Sequence, residues 1–286
     1  MRHALCTISY RHQLTSFRTL IELADRLDYE GIELWGAHAS QLYDLDRRQA
    51  AEDLRYLRAT GREISMISDY IDISPQADRA ASREHCLRQI ERARWFGARR
   101  IRIFAGNRAS RDLTHGEREA IIEHALSLGQ SCRESGIELL METHPGTLLD
   151  HLEVTVKIMR QAASACPGVL GLNLDVLHLW ETGTAPLEGW LQLETWTRSL
   201  HLKNIDHLDH VGVFAPEQVY AASGNRKGMR GLSEGAIDYR SLLAELAPLP
   251  IYGAVEWFGP DPTGRLSRDI AWLRARQHGT LAASGS

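Results

Sequence analysis

Short apolar runs alternate with longer amphipathic stretches along the whole chain. The runs have strand length and fall at residues 4–9, 31–34, 63–68, 100–104, 138–142, 170–175, 199–203 and 251–256. Between them apolar residues recur at i, i+3, i+4. Leu20, Leu23, Ala24 and Leu27 make one such stripe, and Ile121, Ile122, Ala125 and Leu128 another. Gly31, Gly97, Gly136 and Gly171 stand just before strand runs, where helix C-caps belong. Eight strand–helix repeats specify a parallel sheet, and eight is the number that closes a barrel. An open doubly wound sheet would want a glycine-rich phosphate turn after its first strand; Ser9-Tyr10-Arg11-His12 follows instead. The pattern therefore predicts an α/β fold, a single (β/α)8 TIM barrel over residues 1–280. It carries one long irregular loop, residues 204–238, after the seventh strand, of the kind that acts as a functional lid, and residues 281–286 read as a flexible tail.

Composition narrows the function classes. The chain has 286 residues, 43% hydrophobic and 24% charged, with a formal charge of −4. That balance belongs to a globular protein and excludes a disordered chain, a collagen or a basic nucleic-acid arm. No stretch approaches the roughly 18 apolar residues of a membrane span, and the first ten residues lack the apolar core of a secretory signal. Cys6, Cys86, Cys132 and Cys166 are scattered and form no C-x-x-C pair, which reads as reduced core thiols. Together these features predict a cytoplasmic protein.

Candidate chemistry lies at the carboxyl ends of the strands, where barrel active sites are built. Reading those ends in order gives Ser68-Asp69-Tyr70, Arg102 inside an apolar run, Glu142-Thr143-His144-Pro145, Asn173-Leu174-Asp175 with His178 three residues on, His201-Leu202-Lys203, and Glu256-Trp257. Side chains two apart on a strand share a face, so Glu142 pairs with His144 and His201 with Lys203. Four successive strands thus deliver Glu142, Asp175, His201 and Glu256 to one mouth. Three converging carboxylates repel in a low-dielectric cleft. A divalent cation removes the repulsion, with His201 as its nitrogen ligand; the oxygen-rich set suits Mn²⁺ or Mg²⁺, with Zn²⁺ or Co²⁺ as alternatives. Taken singly, each acidic residue has a plain alternative as a helix N-cap or surface charge, and His85 and His151 read as ordinary solvated or hydrogen-bonded histidines. Arg102 needs an anion, either a site carboxylate or an anionic substrate. His178 is open between ligand, support for a ligand and helix cap. Trp35, Trp180 and Trp257 fit pocket walls and core equally.

These segments resemble the xylose-isomerase-like, sugar-phosphate isomerase/epimerase barrel superfamily, which also holds endonuclease IV-type repair enzymes. Within it the pattern is similar to the bacterial 3-dehydroshikimate dehydratases of petrobactin siderophore biosynthesis. The likeness runs the length of the chain, through Leu5-Cys6-Thr7-Ile8-Ser9, Gly31-Ile32-Glu33-Leu34-Trp35-Gly36, Met66-Ile67-Ser68-Asp69-Tyr70, Glu142-Thr143-His144-Pro145, Asn173-Leu174-Asp175, Lys203-Asn204, the segment from Tyr220 to Arg226, and Glu256-Trp257-Phe258-Gly259. Sugar epimerases of the superfamily carry a second Glu and an Arg where this chain has Leu148 and His207. Endonuclease IV-type proteins use extra histidines where it has Tyr70 and Arg102.

The resemblance implies dehydration of 3-dehydroshikimate to 3,4-dihydroxybenzoate, by proton abstraction α to the ketone and β-elimination of water. It implies one divalent ion on Glu142, Asp175, His201 and Glu256, with His144 as the base and Lys203 stabilising the enolate. Arg102, or else Arg226, meets the substrate carboxylate or a ring oxygen, and Tyr70, His178 and Tyr220 complete the pocket. The expected partner is a small anionic molecule, with no nucleic acid and no membrane. A sugar isomerase or ketose 3-epimerase using the same ion is the alternative. Leu187, Trp190 and Leu191 form an apolar group that suits a homo-oligomer contact.

Overall fold

The computed structural model describes residues 1–283, with side chains to residue 277. Its barrel strands are β1 (Arg2–Cys6), β2 (Gly31–Trp35), β3 (Glu63–Ser68), β4 (Arg100–Phe104), β5 (Glu138–Glu142), β6 (Leu170–Asp175), β7 (Thr197–Leu202) and β10 (Tyr252–Val255). They close in the order β1-β10-β7-β6-β5-β4-β3-β2, every barrel pair parallel. Strands covered on both faces need apolar runs, and these have them: Leu5, Ile32, Leu34, Ile67, Ile101, Ile103, Leu139, Leu172 and Leu200 are fully buried.

The helical stripes cover this barrel as their spacing requires. The helix Phe17–Arg26 buries Leu20, Leu23 and Ala24 and is capped by Ser16, whose hydroxyl accepts from the Thr19 amide at 3.1 Å. The helix His115–Glu134 buries Ile121, Ile122, Ala125 and Leu128 behind a capping box of Thr114 and Glu117.

Several sequence expectations shift. Gly97 does end its helix in the left-handed region, φ +79°. Gly31 and Gly171 are strand residues instead: a Cβ at Gly31 would lie 2.9 Å from the Tyr252 ring, and one at Gly171 would lie 2.7 Å from Leu140. The first strand stops at Cys6, and Thr7–Tyr10 turn as a 3-10 helix. The segment 204–238 is less irregular than expected. It holds a small antiparallel ribbon of β8 (Asn204–Ile205) with β9 (Met229–Arg230), a 3-10 helix Leu208–Phe214 and a short helix Pro216–Val219. The last helix, Pro262–Ala283, takes in the first half of the segment read as a tail; residues 284–286 lie outside the described residues. Trp190 is buried in the core, so of the apolar group read as a contact patch only Leu191 is strongly exposed. Cys166 is exposed, unlike the other three thiols. Among the described residues no helix is long and apolar enough to cross a membrane.

Candidate metal centre and catalytic cavity

The carboxyl ends of β5, β6, β7 and β10 bring Glu142, Asp175, His201 and Glu256 together at the barrel mouth, all 5% exposed or less. His201 sits at the centre. Its Nδ1 faces Glu142 Oε2 at 3.4 Å, Glu256 Oε1 at 3.6 Å and Asp175 Oδ2 at 3.8 Å. Ligand atoms of Glu142, Asp175 and His201 all lie within 4.8 Å of one another. Asp175 divides its two oxygens: Oδ1 accepts from the amides of Leu177 and His178 and caps the next helix, while Oδ2 faces the cluster. The cap and the candidate ligand are therefore the same residue. Thr143 ties the two strand ends together, its hydroxyl donating to the Asp175 carbonyl at 3.2 Å and accepting the Asp175 amide at 2.9 Å.

Two cations border the cluster. Lys203 Nζ donates to Asp175 Oδ2 at 2.5 Å and to Glu256 Oε2 at 2.9 Å. Arg102 Nε stands 2.8 Å from Glu142 Oε2, with the guanidinium over the Phe104 ring at 4.8 Å. Arg102 thus has a site carboxylate as its anion, and it also lines the open cavity. Burial would discharge Lys203, but Asp175 and Glu256 outweigh it and raise its pKa. Burial likewise opposes ionisation of Glu256, yet His201 and Lys203 draw its pKa down to about 2.

One carboxylate escaped the sequence reading. Glu33, in the middle of β2, reaches across the barrel to His201 Nε2 at 2.9 Å, fully buried. Its signal was available: an acidic residue between Ile32 and Leu34 in an apolar strand is as anomalous as Arg102. Counting it, four buried carboxylates face Arg102 and Lys203, a formal −2 before any charge on His201 is counted.

That residue set fits a divalent cation. Among the described residues His201 Nδ1 has no hydrogen-bond partner although it is buried and faces three carboxylates. Burial disfavours the imidazolium, but Glu256, Glu33 and Glu142 prevail and raise the His201 pKa well above the ordinary range. A field that holds a proton on imidazole so firmly also attracts a metal ion.

Above the cluster opens a cavity lined by Tyr70, Arg102, Glu142, His144, His178, Lys203, Tyr220 and Glu256, with Phe104, Phe214 and Phe258 as apolar walls. His144 Nδ1 lies 2.7 Å from the Pro145 carbonyl, which can only accept, so the proton sits on Nδ1 and Nε2 keeps its lone pair. Burial, and then the neighbouring His178, lower its pKa to about 3, so the imidazole is neutral at physiological pH. His178 packs on the His144 ring at 4.4 Å between centroids and bonds through Nδ1 to Glu181 at 2.9 Å. Tyr220 reaches down from the long segment to the Tyr70 hydroxyl at 2.8 Å, and Trp35 Nε1 donates to the same oxygen at 3.2 Å. Trp35 therefore supports the wall, while Trp257 packs in the core and bonds to the Pro260 carbonyl. Trp180 lies at a separate surface hollow with Leu187.

Arg226 does not meet the expectation of a substrate ligand. Its guanidinium donates to the carbonyls of Gln218 at 2.6 Å and Ala221 at 2.8 Å, and it does not line the cavity. A guanidinium with backbone acceptors on both arms holds its own loop. His85 pairs with Asp69 at 2.7 Å, and His151 is exposed.

Residues 21–276 match the family model described as xylose isomerase-like TIM barrel. The chain is 38% identical over 276 residues to a 3-dehydroshikimate dehydratase of Bacillus anthracis, covering 96% of this chain and 98% of that protein. A crystal structure of the probable 3-DHS dehydratase AsbF, involved in petrobactin synthesis in Bacillus anthracis, superposes with a TM-score of 0.93 at 38% identity over 96% of this chain and 99% of that one. The IOLI protein with a bound zinc atom shares the fold alone, at a TM-score of 0.73 and 14% identity over 99% of both chains.

Proposed function

The chain belongs to the xylose isomerase-like TIM barrel family, and we propose that it is a metal-dependent dehydratase converting 3-dehydroshikimate to 3,4-dihydroxybenzoate. The observation that carries this reading is a neutral histidine, His144, in the wall of a cavity whose floor is a buried carboxylate–imidazole cluster. Glu142, Asp175, His201 and Glu256 would hold one divalent ion, Mn²⁺ or Mg²⁺ by the hardness of the oxygen set, with Zn²⁺ or Co²⁺ accepted less readily. Such an ion supplies Lewis-acid polarisation of the substrate ketone.

The chain's own groups do the rest. His144 Nε2 takes the proton α to the ketone, its ring held by the Pro145 carbonyl and by an edge-on contact with the His178 ring. The carbon's electron pair moves into an enolate, whose oxygen Lys203 stabilises from the cavity wall; a well-placed donor of this kind contributes about 3 kcal/mol. Expulsion of the β-hydroxyl with a proton releases water and leaves a dienone that tautomerises to the aromatic diol, with no oxidant or reductant required. Protonated His144 or Tyr70 supplies that proton. Arg102 receives the substrate carboxylate or a ring oxygen, and Tyr70 and Tyr220 close over the ring. Phe214 and Phe258 give a planar product apolar surface.

The sugar isomerase or epimerase reading loses support at two positions. Leu148 is fully buried in the core and His207 is exposed beside Asp209, and neither lines the cavity. The expected partner is thus a small anion, in the cytoplasm, without nucleic acid. The test follows aromatic absorbance from 3-dehydroshikimate, with and without EDTA, and after return of single metals. Product that is metal-dependent supports the reading. No product with any metal, beside turnover of a ketose panel, overturns it.

A further inference from the structure

We infer that Glu33 is a positioning residue that fixes the tautomer of His201 and turns Nδ1 towards the metal. The inference rests on the metal-enzyme reading above and deepens it. Glu33 stands on β2 and His201 on β7, strands that are not neighbours in the closed sheet, so their contact crosses the barrel interior. Three donors converge on Glu33 Oε1: His201 Nε2 at 2.9 Å, the Ser68 hydroxyl, and the Cys6 thiol at 3.5 Å. All four residues are 1% exposed or less, while Oε2 has no hydrogen-bond partner among the described residues.

A carboxylate is a poor choice for filling this space. A neutral acceptor would satisfy Ser68, and an apolar side chain would avoid the cost of burying a charge. What the carboxylate adds is a strong acceptor for Nε2–H. An imidazole that donates from Nε2 has its lone pair on Nδ1, the nitrogen that faces Glu142, Asp175 and Glu256. A carboxylate behind a ligating histidine also makes the imidazole a better donor and holds its ring angle. Glu33 further supplies one of the negative charges that make the cluster formally suited to a dication. It touches neither cavity nor substrate in this arrangement, so its effect runs through His201.

The test uses Mn²⁺ alone as the probe, on the wild type, E33Q and E33L. Affinity comes from competition with a fluorescent chelator, and melting temperatures are taken with and without Mn²⁺. The expected result is a loss of Mn²⁺ affinity of roughly 10–100-fold in E33L, a smaller loss in E33Q, and a Mn²⁺-induced rise in Tm that shrinks in the same order. A purely structural role would lower the melting temperature of metal-free and metal-loaded protein alike and leave that rise intact, which overturns the inference. Should E33L fold poorly, E33Q carries the comparison, together with ¹⁵N spectra of His201 in the Zn²⁺ form: loss of the Nε2–H tautomer supports the role, and an unchanged spectrum with unchanged affinity refutes it. Wild type that takes up no metal defeats the proposed function as well; wild type and variants that bind equally defeat only the role of Glu33.

Discussion

The two ends of the barrel both carry charged pairs and use them in opposite ways. At the amino end Arg2 pairs with Glu63 at 2.7 Å, and Glu138 lies between Arg100 at 3.0 Å and Arg198 at 3.6 Å, all with substantial exposure. Pairs of this kind share their charge with water and contribute about 0–1 kcal/mol each. At the carboxyl end the pairs Arg102–Glu142 and Lys203–Asp175 are buried to 5% exposure or less, and carboxylates outnumber cations. Charge that is balanced and wet says little about function. Charge that is dry and unbalanced is held at a cost in stability, and such a cost points to an ion and a reaction.

The largest effect should come from breaking the dry end. H201A removes its imidazole, and E142A both removes a ligand and strands Arg102. Metal content should fall to background in each, with kcat/KM down on the order of 10³-fold or more. E142A should also lose about 3–5 kcal/mol of stability, because it leaves a buried guanidinium without its partner. Elemental analysis beside denaturant unfolding checks both. Full metal content in both H201A and E142A would place the ion outside this cluster and leave it an ion-pair network.

His144 separates chemistry from metal holding. H144A should lose about 10²–10⁴-fold in kcat with Mn²⁺ affinity unchanged. The same residue gives a pH signature. Its folded pKa of about 3 lies below the unfolded value near 6.5, so below pH 6.5 the unfolded chain takes up a proton that the folded one refuses. Wild type therefore loses stability through this group as pH falls from 6.5 towards 3, and H144N does not. Melting in EDTA at pH 7 and pH 4.5 should show H144N gaining on wild type at the lower pH; parallel curves would place His144 in water.

What the sequence made legible follows from where physics leaves few options. One acid at a strand end can be a helix cap, as Asp175 is, but carboxylates, imidazoles and an amine at successive strand ends exceed what capping needs, so Glu142, His144, Asp175, His201, Lys203 and Glu256 stood out and do meet. Glu33 was harder because it sits mid-strand, and its neighbours Ser68 and His201 are distant in sequence. Arg226 misled because a guanidinium in a loop looks available; only coordinates show its arms on the carbonyls of Gln218 and Ala221. Gly31 and Gly171 looked like helix caps, and the Tyr252 and Leu140 side chains that demand them come from other strands.

Arg226 supplies an intermediate effect. R226A frees the segment that carries Tyr220 over the cavity, removing charge-assisted bonds of about 1.5 kcal/mol. KM should rise by about 10-fold while kcat stays within a few-fold. A fall in kcat with KM unchanged would return Arg226 to direct contact with the reacting groups.

The smallest expected effect lies at the wet end. E138Q removes the carboxylate shared by Arg100 and Arg198, both of which remain open to solvent. Because water takes over the solvation of each guanidinium, the variant should stay within about 1 kcal/mol of wild type. Its Mn²⁺ affinity and kcat/KM should be unchanged. Salt sharpens the case: added salt screens exposed charges, so the stability difference between E138Q and wild type should shrink further as ionic strength rises. Glu142 begins at the opposite end of the same five-residue strand, and E142Q should show no such convergence, since salt does not reach its pair with Arg102. Equal salt responses in the two variants would mean that the mouth is as wet as the base, and the division of labour along β5 would fail.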